Sequence, residues 1–151
     1  MEYLSAAQTK KFIVTLGIVS FALQYTWENL QCAPFFNYTP VTYMALDMLG
    51  AALSDVAVTY VVYAIVAFFS KSWKWIFNKW HLKQWIIMEG IALLSSISVE
   101  LFAQTRNVWD YTDLAPLIPG LEISVVPVFQ FLILFPLSFA LTKFILKQKK
   151  I

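Results

Sequence analysis

Glu28, Asp47, Asp55, Glu89 and Glu100 stand within or at the ends of stretches that are otherwise apolar. A charge at the centre of a membrane helix costs about 2.5–3.5 kcal/mol even on lenient scales, so a chain keeps such residues for a purpose. Their spacing groups them. Gly17, Ser20, Gln24, Glu28 and Gln31 recur at steps of three or four, which places them on one helix face. The same holds for Asp47, Gly50, Ala51, Ser54, Asp55 and Thr59, and for Glu89, Ala92, Ser96, Glu100 and Gln104, while Gln130 and Ser138 contribute from the last apolar stretch. A carboxyl buried without a basic partner can keep its proton, and then serves either as a proton donor or as a neutral hydrogen-bonding group between helices. Glu28, Asp55 and Glu100 are the candidate acids. Arg106 and Tyr111, beyond the third stretch, are candidates to orient a substrate, and Arg106 is the one cation able to reach Glu100 or Asp47. Gln24, Gln31, Asp47, Gln104, Trp109 and Gln130 are candidate ligand contacts. Gly50, Ala51, Ser54, Ala92 and Ser96 also suit close helix packing.

The elements that must position these side chains follow from composition. The chain has 151 residues, 60% hydrophobic and 13% charged, with a mean hydropathy of +0.66. Ordinary soluble domains are about 45–50% apolar and about 25% charged, so an integral membrane protein is expected. A helix needs about 20 apolar residues to cross the hydrocarbon. Four segments qualify, at about 12–30, 43–69, 84–104 and 124–146. Residues 1–151 therefore form a single membrane domain, an all-α bundle of four transmembrane helices. Lys10 and Lys11 precede the first span, Lys71, Lys74, Lys79 and Lys83 separate the second and third, and Lys143, Lys147, Lys149 and Lys150 flank the end of the fourth. The positive-inside rule puts these regions, and both termini, on the cytoplasmic side, so the acidic cluster opens outward. The lysines are accounted for as topology anchors, and nucleic acid is not an expected partner. His81 stands alone and Cys32 has no neighbouring histidine, so the sequence indicates neither a metal site nor covalent catalysis, and no cofactor. The first span is read as retained rather than as a cleaved signal, and Leu30-Gln31-Cys32 is a poor lipoprotein acceptor.

Between spans two and three, Trp73, Ile76, Phe77 and Trp80 recur at helical spacing, which predicts an interfacial anchoring segment over 72–83. Between spans three and four, Trp109 and Tyr111 suit an interfacial belt, while Pro116, Pro119 and Gly120 favour a tight turn. Pro127 fits the first turn of span four, and Pro136 is interior, where it frees a carbonyl. Asn37-Tyr38-Thr39 matches a glycosylation sequon on the outer side.

Trp27-Glu28-Asn29-Leu30-Gln31 with Pro34, Ser54-Asp55, and Glu100 followed by Arg106, Trp109, Tyr111, Pro119-Gly120, Pro127 and Gln130 resemble a family of small bacterial polytopic membrane proteins without an assigned activity. That resemblance implies a bacterial inner membrane location. The pattern Arg106-x-x-Trp109-x-Tyr111, with a glycine and then a proline opening the next span, resembles the repeat of membrane lycopene cyclases, which implies an isoprenoid substrate. Those proteins carry two acids just after that proline, where this chain has Val128 and Phe129, then Gln130.

Three functions are in view. One is an intramembrane protein that binds or acts on a lipid or isoprenoid through the acids. Another is a proton-coupled transporter, which with four spans and no internal repeat would need a homo-oligomer. The last is an accessory or assembly protein whose polar faces hold helices together. The expected partners are membrane lipids, a hydrophobic small molecule or further copies of the chain.

Overall fold

In a computed structural model the chain folds into four long helices, with residues 4–37 and 41–148 described and, among these, side chains at all positions except 41–45 and 148. Helix α1 spans Ala6–Phe35, α2 Val41–Ser70, α3 Leu82–Arg106 and α4 Val125–Gln148. All four are long and apolar enough to cross a membrane. They outrun the apolar stretches because at about 1.5 Å per residue a 30-residue helix is about 45 Å long, against about 30 Å of hydrocarbon. Ser5 starts α1 with a capping box, its hydroxyl accepting from the Gln8 N–H while the Gln8 side chain accepts from the Ser5 N–H. Asn107, left-handed at φ 51°, stops α3. The sequon at Tyr38 and Thr39, and Lys149 and Lys150, lie outside the described residues.

The helices form a ring in which α1 packs on α2 and α4, and α4 on α3, with the α2–α3 side the loosest. One end is basic and aromatic. Phe12, Tyr63, Trp75 and Phe139 pack together there, and Lys143 donates to the Asn78 carbonyl at 2.6 Å. The connection between α2 and α3 departs from the predicted interfacial helix. It makes only a short 3-10 turn at Trp75–Phe77, and Trp75 and Ile76 are buried in the bundle. Tyr63 donates to the Trp73 carbonyl and Trp75 to the Tyr63 carbonyl. Of the helically spaced residues only Ile76 is fully buried, with Trp73, Phe77 and Trp80 half-buried. It is Trp75, off that spacing, that plugs the bundle beside it, because an indole finds more apolar area inside the bundle than along its rim.

The opposite end carries the acids. Two-residue strands, β1 at Phe36–Asn37 and β2 at Asp110–Tyr111, pair antiparallel and tie the end of α1 to the loop after α3. Thr112 donates its hydroxyl to the Pro34 carbonyl and its N–H to the Phe35 carbonyl, and the Asn37 amide donates to the Tyr111 carbonyl. The predicted proline turn is present as a tight hairpin. Leu117 bridges Ser124, Ile118 N–H bonds the Ile123 carbonyl at 2.8 Å, and Gly120 takes φ +84°. The outer surface is a belt of exposed apolar side chains that includes Ile18, Leu53, Phe68, Leu94, Phe102 and Phe144, far more than a soluble monomer leaves uncovered.

Candidate functional site

The inward stripe of α1 carries Ser20, Gln24, Glu28 and Gln31 as buried polar residues, each one helical turn from the next. Facing them are Asp55 and Thr59 of α2, Ser96 and Glu100 of α3, and Gln130 of α4. Glu28 is 8% exposed, Glu100 3% and Gln130 1%.

Gln130 is the hub. Its amide nitrogen lies 2.6 Å from Glu28 Oε1, 2.9 Å from Asp55 Oδ2 and 3.0 Å from Gln24 Oε1. Gln31 donates to Glu28 Oε2 at 3.0 Å and to Gln130 Oε1 at 3.1 Å, and its own Oε1 accepts from the Trp27 indole at 2.9 Å. One amide NH₂ has two protons, yet three acceptors converge on it. The nitrogen can serve at most two of them at once, and it holds Glu28 and Asp55 within reach of the same donor. Below this layer Thr59 donates to the Asp55 carbonyl at 2.8 Å, so Ser20, 2.9 Å away, is the donor to Thr59. The hydrogen-bonded ladder ends there: beyond it Leu16, Val62, Val66 and Phe135 fill the bundle, and the buried hydroxyls of Ser138 and Thr142 on α4 make no hydrogen bond among the described residues.

Glu100 belongs to a second group. It accepts from the Tyr111 hydroxyl, and β1–β2 pairing is what brings Tyr111 back over α3. Burial, then the hydrogen bond and charge of Glu100, push the Tyr111 phenol up to about 12, so it is a donor at any physiological pH. The Trp109 indole N–H is buried without a well-formed hydrogen bond of its own, beside Glu100 and Tyr111. Trp109 meets Phe36 edge-on, and Gln104 braces the loop by donating to the Trp109 carbonyl at 3.5 Å.

Between the two groups is a cavity of about 230 Å³. Glu28, Gln31, Asp55, Glu100, Trp109 and Gln130 supply its polar lining, and Cys32, Phe36, Met48, Val58, Val99 and Phe131 much of the rest. An apolar cavity with a few convergent polar groups has the form of a ligand site.

The structure therefore brings together Gln24, Glu28, Gln31, Asp55, Glu100, Trp109, Tyr111 and Gln130 from the sequence reading. It does not bring in Asp47, which is exposed and outside the cavity wall, or Arg106. Arg106 is exposed, with its guanidinium 5.7 Å from the centre of the Phe102 ring on its own helix rather than against Glu100. A residue in the last turn of a helix points where the helix phase sends it, and four residues earlier is Phe102. Gly50 has open space around it and is not a packing glycine, whereas Ala92 and Ser96 are buried as packing residues. Cys32 lines the cavity with no histidine in the wall. Trp27 entered the sequence reading only through the family resemblance and not as a site residue, although its step of four to Gln31 could have placed it there. The apolar lining residues carry no signal that separates them from the rest of the core.

Val128 is buried and Phe129 is exposed on the outer surface, so α4 supplies an amide to the cavity while α1, α2 and α3 supply the acids. No protein-family model, curated protein or solved structure matches this chain.

Proposed function

We propose that this protein resides in a bacterial inner membrane with both termini cytoplasmic, and that its cavity holds a lipid or isoprenoid by its polar end. The observation that carries this reading is the Glu28–Asp55 pair, joined by the Gln130 amide and facing a cavity otherwise lined largely by apolar side chains. In such a setting either acid can serve as a proton donor to a bound molecule, and the amide cradle stabilises the carboxylate left behind. Described lysines cluster with Lys10 and Lys11 at the aromatic end, while Asp110, Asp113 and Glu122 lie beyond it at the other, which supports the orientation. The lycopene cyclase-like spacing of Arg106, Trp109 and Tyr111 favours an isoprenoid among the lipids.

Transport is the weaker reading, because the polar ladder stops at Ser20–Thr59 and the aromatic end is packed. The test is mass spectrometry of lipids that co-purify with the full chain from native membranes. One lipid class enriched with the wild type and lost from both Asp55→Asn and Glu100→Gln is the expected result. Equal lipid content in all three proteins would overturn the reading.

A further inference from the structure

The cavity has one thin wall. The α2–α3 seam is the loosest side of the ring, and the accessible lining residues gather on those two helices. Ser54 is exposed, Ala51 and Val58 partly so, and Val99 of α3 is 45% exposed. Away from the seam the lining is buried except at half-buried Trp109: Cys32 and Gln31 of α1 and Gln130 and Phe131 of α4 are buried, and Phe36 beneath the paired strands is 9% exposed. Ser54, Ala51 and Val99 sit on helices whose outer faces belong to the apolar belt, so the gap between them faces hydrocarbon rather than water.

Size and charge then restrict the occupant. About 230 Å³ is less than the roughly 300–1,000 Å³ of pockets that enclose a whole small ligand, so the cavity takes one end of a longer molecule. Three carboxyl groups line it and no basic side chain does, so a phosphate or carboxylate end would be desolvated against like charge. An ammonium can only donate, and so offers nothing to the buried Trp109 N–H, which makes no well-formed hydrogen bond beside Glu100. A hydroxyl does both: it accepts from Trp109 and donates to a carboxylate oxygen of the cavity.

We propose that the cavity is reached from the hydrocarbon phase through the α2–α3 seam and receives the hydroxyl end of a single-chain alcohol whose tail stays in the bilayer. This rests on the lipid-holding reading above and adds the route and the chemistry of the bound end.

Cys32, the sole cysteine of the chain and a buried lining residue, is the reporter. The full chain in phosphatidylcholine nanodiscs is treated with dodecyl maleimide or with a sulfonated maleimide confined to water, and modification is followed by mass spectrometry. The alkyl reagent is expected to react faster by about a hundredfold, the factor set by the cost of a charge in hydrocarbon. Dodecanol slows that reaction, whereas dodecyl phosphate and dodecylamine at the same bilayer fraction do not. Ala51→Trp on α2 and, separately, Val99→Trp on α3 also slow it, with an unchanged thermal transition as the check on folding. Labelling from water at a comparable rate, unaltered rates in both folded tryptophan variants, or better protection by the phosphate or the amine would overturn the inference. So would a thiol that neither reagent reaches until detergent denatures the protein. A chain that carries native lipid but labels fastest from water keeps the lipid-holding reading and loses this one.

Discussion

Gln130 of α4 donates to Glu28 of α1 at 2.6 Å across 102 positions of sequence, and the same nitrogen reaches Asp55 of α2 at 2.9 Å. Three helices are therefore held at one point, inside the bundle, by a group that cannot be replaced by water without opening the core. A buried polar network of this kind is strong only when all of its members are present.

Gln130→Leu should be the most damaging single change in the site. It keeps the volume but strips Glu28, Asp55 and Gln24 of their common donor, and each buried acceptor left unpaired costs about 1–3 kcal/mol. A loss of at least about 3 kcal/mol is expected from denaturation in detergent. Glu28→Gln keeps an acceptor for Gln130 and the shape of the side chain but loses the acceptor of the Gln31 amide, so it should cost about 1–2 kcal/mol, less than Gln130→Leu, while co-purified lipid falls.

Tyr111 offers a pH test. Its phenol is held up at about 12 from an ordinary 10.0, first by burial and then by Glu100. A raised value means that the neutral phenol is the form the fold favours. Its contribution is complete below about pH 10 and is lost as pH rises toward 12. Alkaline difference spectra of the wild type and Tyr111→Phe should differ by one late-forming phenolate. The same variant should lose about 1–2 kcal/mol, since only the hydroxyl donor to Glu100 is removed.

Gly17 is required by a close approach. A Cβ there would lie 2.6 Å from Tyr60 Oη, which donates to the Ile13 carbonyl at 2.6 Å. Gly17→Ala should destabilise by about 1–3 kcal/mol through overpacking between α1 and α2. Because the clash is with the tip of a side chain, Tyr60→Phe combined with Gly17→Ala should cost less than the sum of the two single changes, as a double-mutant cycle would register.

Proteoliposomes should hold an imposed pH gradient as well as protein-free vesicles do. The ladder of hydrogen bonds ends at Ser20 and Thr59, and the buried hydroxyls further along α4, Ser138 and Thr142, make no hydrogen bond among the described residues, so the chain of partners is broken. A pH-sensitive dye in the lumen measures this directly, and rapid decay would revive the transport reading.

The sequence by itself determined the class and the inventory. Runs of about 20 apolar residues leave the backbone no option but helix in a lipid-like setting, and period-3.6 spacing put Gln24, Glu28 and Gln31 on one face before any packing was known. It also determined that Gly120 and its prolines make the turn before α4. What the tertiary structure decided was which polar faces meet and which do not. Asp47 and Asp55 share a helix and nearly a face, yet only Asp55 reaches Gln130, because the meeting depends on how α2 is rotated against α1 and α4. Arg106 looked like the natural partner of Glu100, but Tyr111 took that place through a strand pairing of two residues, too short to leave a pattern. Helix phase is a local property set by φ and ψ, and so can be read along the chain. Partner choice across helices is set by side-chain volumes and hydrogen-bond geometry summed over the whole bundle, and no stretch of sequence contains it.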